Sequence, residues 1–344
     1  MDRRTLLKCA PVALGVIALP RIAQAQTETL RLHQFLSPQA TIPAKILRPW
    51  ADRLAAASGG ALTIEHFDAM ALGGRPNDLF DQARDGVVDI SATLTGYTPG
   101  RFPVSEVFEL PFMTTNPVAT SKAFYEMVEA ELQASEYSDV KVLGAWVHGP
   151  GLLHTAEPVT RLEDLTSMTL RAPSRMVNDL LAELGAAPVG MPLPAVPEAL
   201  SRGVIGGALV PWEVTPSIRL SELVRNHTDF VGDEALYTAT IILVMNKARY
   251  EALPAELRAV LDAESGMALS QFAAEAMWAG DAPGRAIAVA AGNNVVTLDA
   301  TETARWKAAA QPVYARFVAD MNGRGTDGQA LIDRARALIA KHAG

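Results

Sequence analysis

The sequence predicts an α/β protein with two similar lobes, each a parallel-rich sheet flanked by helices. Strands and helices alternate as β-α-β-α-β over residues 29–94 and again over residues 168–212, a pattern typical of parallel sheets with helices on their faces. Residues 83–89, which connect the second helix of the first unit to its third strand, are similar in sequence to residues 200–206 at the same place in the second unit. A nearly continuous helical pattern over residues 254–290 is long enough to bridge two lobes.

The first residues are predicted to be an export signal. Residues 3–8 form a basic head, residues 9–20 are apolar but too few to cross a bilayer, and residues 23–25 have the small-x-small pattern of a cleavage site. We expect residues 1–25 to be removed. The two adjacent arginines are also compatible with the twin-arginine route, so both this route and general secretion stay open.

Composition and charge exclude some classes of function. The 344 residues, 49% apolar and 20% charged, suffice for two folded domains. Loss of the signal would remove four basic residues and one acidic residue and would move the net charge from −8 to −11. A protein this acidic is a poor nucleic-acid binder. The single cysteine, Cys9, would leave with the signal, so no disulfide or thiol chemistry is expected.

The elements of the first unit are marked by alternation and by glycine stops. Leu62 to Phe67 alternates as a strand, and Gly59 and Gly60 end the helix before it. The predicted strands are residues 29–35, 62–67 and 86–94, and the predicted helices are residues 42–57 and 77–84. A helix over residues 119–132 and strands over residues 140–147 and 152–155 follow.

In the second unit, Ser174 is a helix N-cap candidate and Gly185 ends that helix. The unit consists of strands near residues 168–170, 188–191 and 204–212, with helices between them. A strand over residues 236–245, the long helix and two closing helices over residues 301–321 and 329–342 complete the chain.

Arg171 lies at the carboxyl end of a predicted strand. Ligands of open α/β sheets collect at such ends, and a guanidinium offers a planar fork that matches a carboxylate. A strand-end arginine also commonly pairs with a neighbouring acidic side chain. Its position alone leaves both interpretations open.

No motif for catalysis or metal binding is found. The six histidines have no zinc-type spacing. The segment 96–100 has Thr98 where a nucleophile elbow needs serine, and Pro99 obstructs the turn. Residues 323–328 match G-x-G-x-x-G but follow a helix, which indicates an inter-helix loop.

Several short motifs, taken in order, resemble one family. The chain is similar, from about residue 29 to its C-terminus, to the extracytoplasmic solute-binding proteins of TRAP transporters, the DctP family. The motifs are SGG at 58–60, LGG at 72–74, GVVD at 86–89, ELPF at 109–112, LEDL at 162–165, LRAP at 170–173, MP at 191–192 and MNK at 245–247.

This resemblance implies a two-lobed periplasmic binding protein fold, with hinge strands and a long bridging helix. After the signal peptide expected at 1–25, it implies lobe I from 26–148 plus 237–275 and lobe II from 149–236 plus 276–344. It also implies that Arg171 holds a ligand carboxylate. The partners would be a small carboxylate and the small and large membrane subunits of a TRAP permease. We expect a periplasmic monomer with no cofactor, no metal, no nucleic-acid partner and no catalytic residue.

Two departures from the family pattern bear on the ligand. Many members have asparagine just before the residue equivalent to Pro211, where this chain has Val210, and sialic acid binders carry a second arginine that residues 150–152 lack. These changes favour an aromatic or 2-oxo monocarboxylate. A sugar acid, a C4-dicarboxylate, a periplasmic enzyme using Arg171 as substrate anchor, and a module reporting to a receptor remain alternatives.

Further ligand contacts are expected near strand ends that face the cleft. An aromatic residue at such a position either contacts the ligand or belongs to the core of a lobe. The candidates besides Arg171 are Trp212, Val210, Tyr97, His33, Phe35, Trp146, His148 and Tyr237.

Overall fold

The computed structural model describes residues 27–232 and 234–344. The predicted signal peptide therefore lies outside the described residues. In the ranges that are described, no helix combines the length and the apolar character required to cross a membrane.

Eleven strands are formed within these ranges. They are β1 (Glu28–Gln34), β2 (Leu62–Phe67), β3 (Ile90–Leu94), β4 (Val140–Val147), β5 (Gly151–Thr155), β6 (Thr169–Ala172), β7 (Ala187–Gly190), β8 (Gly207–Pro211), β9 (Asn226–Phe230), β10 (Thr240–Asn246) and β11 (Asn294–Leu298).

Helices cover the faces of the sheets. They are α1 (Arg48–Ala57), α2 (Leu79–Arg84), α3 (Pro117–Ala130), α4 (Arg175–Glu183), α5 (Val196–Ser201), α6 (Leu220–Leu223), α7 (Lys247–Glu251), α8 (Ala255–Ala263), α9 (Gly266–Ala290), α10 (Ala300–Ala309), α11 (Gln311–Gly323) and α12 (Gly328–Ala343). The π-helical turn Ile42–Leu47 leads directly into α1.

The strands build two separate mixed sheets. The first has the order β2-β1-β3-β10-β4, and the second has the order β11-β9-β5-β8-β6-β7. β1, β2 and β3 are parallel, whereas β10 runs antiparallel to β3 and β4. In the second sheet β6 is parallel to β7 and β8, and β5 is antiparallel to β8 and β9. This arrangement confirms the predicted α/β fold class.

The chain passes between the sheets after β4 and before β10. At this crossing the backbone N–H of Gly151 donates to the carbonyl of Tyr237 at 3.0 Å. α9 packs against β4 and α3 on one side and against the 3₁₀ turn Trp212–Ile218 on the other. Each of the two main apolar clusters contains side chains from both sheets, so the lobes pack against each other.

Several predicted boundaries were wrong for identifiable reasons. The predicted helix 254–290 is divided into α8 and α9, because Gly266 adopts a left-handed backbone with φ of +74°. The helix predicted at 301–321 is interrupted at Ala310, and the strand predicted from residue 236 begins at Thr240. The sequence analysis missed β9 and β11. Residues 324–327, within the G-x-G-x-x-G segment, form the predicted connection between α11 and α12.

Candidate ligand-binding site

A cavity of about 40 Å³ lies between the two sheets. Its walls come from both lobes and from α9. Six of the nine residues predicted from the sequence line it, namely Phe35, Tyr97, His148, Arg171, Val210 and Tyr237.

Arg171, at the end of β6, is the only one of these six with a fixed positive charge, and it is 2% exposed. Its Nε donates to the carbonyl of Met191 and its Nη1 donates to the carbonyl of Leu209, both at 2.9 Å. Among residues 27–232 and 234–344, no carboxylate lies within 4.0 Å of its guanidinium. Neutral groups therefore orient the fork, with the Tyr97 hydroxyl beside it, while its charge stays available for an anion.

Tyr237 presents a second polar group to the same cavity. Its side chain is 1% exposed, and its hydroxyl has no hydrogen-bond partner in the part of the chain that the structure describes. A Cβ on Gly151 would collide with the Tyr237 ring, so glycine is required where β5 begins. A buried hydroxyl without a partner costs free energy, and a ligand oxygen in the cavity would supply the missing partner.

Tyr97 connects the two lobes at the cavity wall. Its ring makes an edge contact with Phe35, with centroids 5.2 Å apart. Its Oη accepts a hydrogen bond of 3.0 Å from the backbone N–H of Leu193. A Cβ on the adjacent Gly96 would collide with Ser174, the N-cap of α4. This side of the cavity is therefore closed by direct contact between the lobes.

His148 lines the cavity, but both of its ring nitrogens form hydrogen bonds with the backbone of the segments that connect the two sheets. The backbone N–H of Ala239 donates to Nε2 at 3.0 Å, so the ring proton is on Nδ1, which lies 2.6 Å from the carbonyl of Gly149. Burial lowers the pKa of His148 to about 4, so the ring is neutral near pH 7. Because both nitrogens are occupied, His148 offers a ligand a ring surface and no hydrogen bond.

The rest of the wall is mainly apolar. Phe35 directly follows β1, Val210 lies near the end of β8, and both have at most 5% of their surface exposed. The other apolar lining residues are Leu36, Ile42, Leu94, Pro173, Leu193, Pro211, Val214, Ile241 and Met277. Such a wall suits a hydrocarbon or aromatic ligand body.

Trp212, His33 and Trp146 do not line the cavity, which corrects three expectations. Trp212 begins a 3₁₀ turn, so strand alternation does not continue past Pro211. Its ring packs against the His154 and His227 rings, with centroids 4.8 and 4.9 Å away, on the side of Leu152 and Ala288. The stacking platform predicted for Trp212 is therefore absent from the cavity.

His33 and Trp146 are structural for different reasons. The backbone N–H of Leu72 donates to His33 Nε2 at 3.3 Å, and its Nδ1 lies 2.7 Å from Gln82 Oε1. Trp146 is fully buried, and its indole N–H donates to the Sδ of Met277 at 3.3 Å. Trp146 thus touches the cavity only through Met277, whose side chain it holds.

Glu213 is a cavity residue that the sequence analysis missed. It follows Trp212, is 7% exposed and lines the cavity, and burial raises the pKa of its carboxyl to about 8. The backbone N–H of Glu213 donates to Asp281 Oδ1 on α9 at 2.9 Å. A carboxylate beside an aromatic residue has no distinctive sequence pattern. The position of Glu213 follows from the 3₁₀ turn, in which the side chain of residue 213 faces the cavity and that of residue 212 does not.

Comparison with known proteins identifies relatives over nearly the whole chain. Residues 34–320 match the model of bacterial extracellular solute-binding protein, family 7 (DctP). A TRAP solute-binding protein from Rhodoferax ferrireducens T118, solved with copurified benzoate, is 48% identical with a TM-score of 0.90, covering 92% of this chain and 99% of that one.

Two further solved structures extend the comparison. A marine metagenome TRAP solute-binding protein specific for aromatic acids, solved with 3-hydroxybenzoate, is 42% identical with a TM-score of 0.91, covering 93% of this chain and 100% of that one. A TRAP protein from Bordetella bronchiseptica with bound mandelate is 28% identical with a TM-score of 0.84, covering 91% and 99%.

Proposed function

Because the chain belongs to bacterial extracellular solute-binding protein family 7, the DctP family, we propose that it captures a small aromatic monocarboxylate between its lobes. Proteins of this family bind small carboxylates outside the cytoplasm and work with TRAP permeases. The single observation that carries the proposal for the ligand is the buried guanidinium of Arg171, which no acidic side chain of the described residues neutralises. A buried charge without a counter-charge is costly, so the cavity is built for an anion.

The charge of the cavity favours one carboxylate rather than two. Near pH 7 Arg171 is charged, His148 is neutral because its pKa is lowered to about 4, and Glu213 is mostly protonated because its pKa is raised to about 8. The cavity therefore has a charge of about +1. A monocarboxylate neutralises this charge, whereas a C4-dicarboxylate would bring an excess negative charge into a desolvated site.

The apolar wall favours an aromatic body over a sugar acid. Phe35, Val210 and Ile241 offer no hydrogen-bonding group to a polyhydroxylated ligand, and each buried hydroxyl without a partner would weaken binding. The relatives solved with benzoate, 3-hydroxybenzoate and mandelate support the same class of ligand. A branched 2-oxo acid has a similar shape and is the second candidate.

Binding would proceed by closure of the lobes on the ligand. In an open form Arg171 would contact water, and a carboxylate would form a bidentate, charge-assisted pair with it. Closure would bring Tyr97 to Leu193 and Tyr237 to the ligand, and it would exclude water, which strengthens the ion pair. The ligand stabilises the closed form through contacts that exist only there.

We further infer the setting of this activity. Residues 1–25 would direct export to the periplasm and be removed. The monomeric protein would present its ligand to the small and large membrane subunits of a TRAP permease. Lobe I would comprise 26–148 plus 237–275, and lobe II 149–236 plus 276–344. The ligand would be returned unchanged, without catalysis.

A ligand screen tests the proposal. The protein is unfolded in urea, dialysed to remove copurified acids, refolded, and screened by thermal shift and calorimetry against benzoates, 2-oxo acids, glucuronate and succinate. We expect benzoates to bind most tightly and to be recovered intact by mass spectrometry. Tight binding of glucuronate or succinate without binding of benzoates would contradict the ligand class, and a changed ligand mass would indicate an enzyme.

A further inference from the structure

We propose that Glu213 forms a second polar subsite in the cavity, which selects aromatic acids that carry a ring hydroxyl over the unsubstituted acid. This inference rests on the proposed function and specifies the ligand within that class. Arg171 would hold the carboxylate, and the subsite would bind the hydroxyl at the far side of the ring.

The position of Glu213 is fixed by the backbone around it. Its N–H donates to Oδ1 of Asp281 on α9 at 2.9 Å, and the 3₁₀ turn that carries Glu213 packs against α9 at Gly280, which has no side chain. A Cβ on Gly280 would come within 2.8 Å of the Glu213 Cβ, so the close approach depends on that glycine. The backbone and the Cβ of Glu213 are thus fixed at the cavity wall.

The chemistry of the subsite suits a hydroxyl. No Lys or Arg of the described residues forms an ion pair with Glu213 within 4.0 Å, and both Lys45 and Thr41 line an outer groove that Glu213 also borders. Burial keeps the carboxyl largely protonated, while a hydrogen bond from Thr41 opposes this shift in pKa. A carboxyl group can both donate to and accept from a ligand hydroxyl, whereas it would repel a second carboxylate when ionised.

The subsite is separate from the carboxylate site. Burial raises the pKa values of Tyr97 and Tyr237 and lowers that of His148; the charge of Arg171 opposes the first two shifts and adds to the third, so these three side chains lie near it. The groups that act on Glu213 are instead Thr41 and Asp281. Two polar groups at different places in one apolar cavity require a ligand with two polar groups held apart by a rigid spacer. A meta- or para-hydroxylated ring meets this requirement.

Calorimetry with four ligands tests the inference. Benzoate, 2-, 3- and 4-hydroxybenzoate are titrated into the wild-type protein and into Glu213→Leu, Glu213→Gln and Asp281→Asn. The wild type should bind 3- or 4-hydroxybenzoate at least about tenfold more tightly than benzoate. The 2-hydroxy isomer should bind like benzoate, because its hydroxyl lies beside the carboxylate.

The variants identify the residue responsible. Glu213→Leu should bring the ratio of the affinities for hydroxybenzoate and benzoate close to one, chiefly by weakening the binding of the hydroxylated ligand. Glu213→Gln should keep part of the preference. Asp281→Asn, which retains the acceptor for the Glu213 N–H, should leave the preference unchanged. Equal wild-type affinity for benzoate and both distal hydroxybenzoates overturns the inference even if no variant folds. An unchanged preference in Glu213→Leu also overturns it.

The two proposals fail in different ways. If benzoate binds in an Arg171-dependent manner without any preference for a hydroxyl, only the subsite is wrong. If none of the four aromatic acids binds, the proposed function fails and this inference fails with it.

Discussion

The phenol oxygen of Tyr97 accepts a 3.0 Å hydrogen bond from the backbone N–H of Leu193, and this contact joins the two lobes across the ligand cavity. Tyr97 belongs to the turn after β3 of the first sheet, whereas Leu193 follows β7 of the second. The structure therefore has the closed arrangement of the lobes, with this bond at the rim of the site.

Tyr97→Phe should weaken ligand binding mainly by speeding ligand release. Without the phenol oxygen the Leu193 N–H loses its acceptor and the closed form loses about 1 kcal/mol, or about fivefold in affinity. Tyr314→Phe is the matched control, because Tyr314 donates to the carbonyl of Pro111 at 2.7 Å, outside the cavity. Stopped-flow measurement of dissociation rates compares the two. Equal rates in both variants would argue against Tyr97 as a lobe contact.

Arg171→Lys and Arg171→Met should both lose most ligand affinity while the free protein stays folded. Loss of one partner of a desolvated charge pair costs about 2–5 kcal/mol, or roughly 30- to several-thousand-fold. Lysine keeps the charge but not the fork. Arg175→Lys is the control, since Arg175 pairs with Glu106 and Asp320 away from the cavity. Calorimetry that finds near-normal affinity in both Arg171 variants would refute the carboxylate assignment.

Tyr237→Phe should raise the stability of the ligand-free protein and lower its affinity for the ligand. The Tyr237 hydroxyl is buried and has no partner among the described residues, so its removal should raise the stability of the ligand-free protein by up to about 1 kcal/mol. A hydrogen bond to a charged carboxylate is worth about 1.5–3 kcal/mol, so affinity should fall at least about tenfold. Urea unfolding and calorimetry on the same variant measure both quantities. Loss of stability with unchanged affinity would mean that the hydroxyl serves the fold alone.

The sequence predicted most of the fold because its signals are local. The strand at 62–67 and the strand at 140–147 have the predicted bounds, since alternating apolar residues and nearby turn residues mark both. β9 and β11 were missed because Asn226–Phe230 is largely polar and Asn294–Leu298 is a short edge strand; β11 pairs with β9, which also pairs with β5. Such strands form because they pair with strands that are distant in sequence, and the periodicity of apolar residues within a segment does not indicate this pairing.

For the candidate site, the expectation that residues near strand ends face the cleft was right for Arg171 and Val210 and wrong for Trp212. The expectation holds as long as the backbone is extended, and Val210 lies within β8. At Trp212 the chain turns into a 3₁₀ helix, which directs the indole towards His154 and directs Glu213 into the cavity. The Tyr237 hydroxyl is a candidate donor because it has no hydrogen-bond partner among the described residues, and a sequence does not show which hydroxyl groups lack partners.

The buried pair His154 and His227 should remain neutral well below pH 6.5, with one defined tautomer each. Asn293 Nδ2 donates to His227 Nε2 at 3.0 Å, so the His227 proton is on Nδ1, 2.7 Å from His154 Nδ1. His154 then carries its proton on Nε2 and donates to the carbonyl of Val210 at 3.2 Å. Nitrogen-15 NMR of histidine-labelled protein should show these two tautomers. The opposite tautomers would contradict this chain of donors.

This pair should also make stability depend on pH. Burial lowers the pKa of His227 to about 4 and that of His154 well below its usual range. The unfolded chain takes up protons near pH 6.5 and the folded chain does not, so the stabilising contribution is complete above 6.5 and falls as pH drops towards 4. A shift from 6.5 to about 4 is worth about 3 kcal/mol for one histidine.

Because buried acids such as Glu213 act in the opposite direction, the wild type must be compared with His154→Gln/His227→Gln. The difference in unfolding free energy between the two proteins should shrink between pH 6.5 and 5. A constant difference would exclude the effect.

Ligand binding near pH 7 should take up protons at Glu213. In the closed structure burial raises the pKa of this carboxyl to about 8, with Asp281 adding repulsion. In an open form, where water reaches the carboxyl, its pKa should be nearer the ordinary value of 4.5. A ligand carboxylate in the same cavity can only raise the closed-form pKa further.

Between these two values the closed form holds a proton that the open form has released, so affinity should fall as pH rises from 4.5 to about 8 and then level off. Calorimetry at pH 7 in buffers of different ionisation enthalpy should give an uptake of up to one proton. The uptake should disappear in Glu213→Gln, whose amide cannot titrate, and persist in Asp281→Asn. If Asp281→Asn abolishes it while Glu213→Gln does not, the proton belongs to Asp281, and if the wild type takes up none, Glu213 is already protonated before the lobes close.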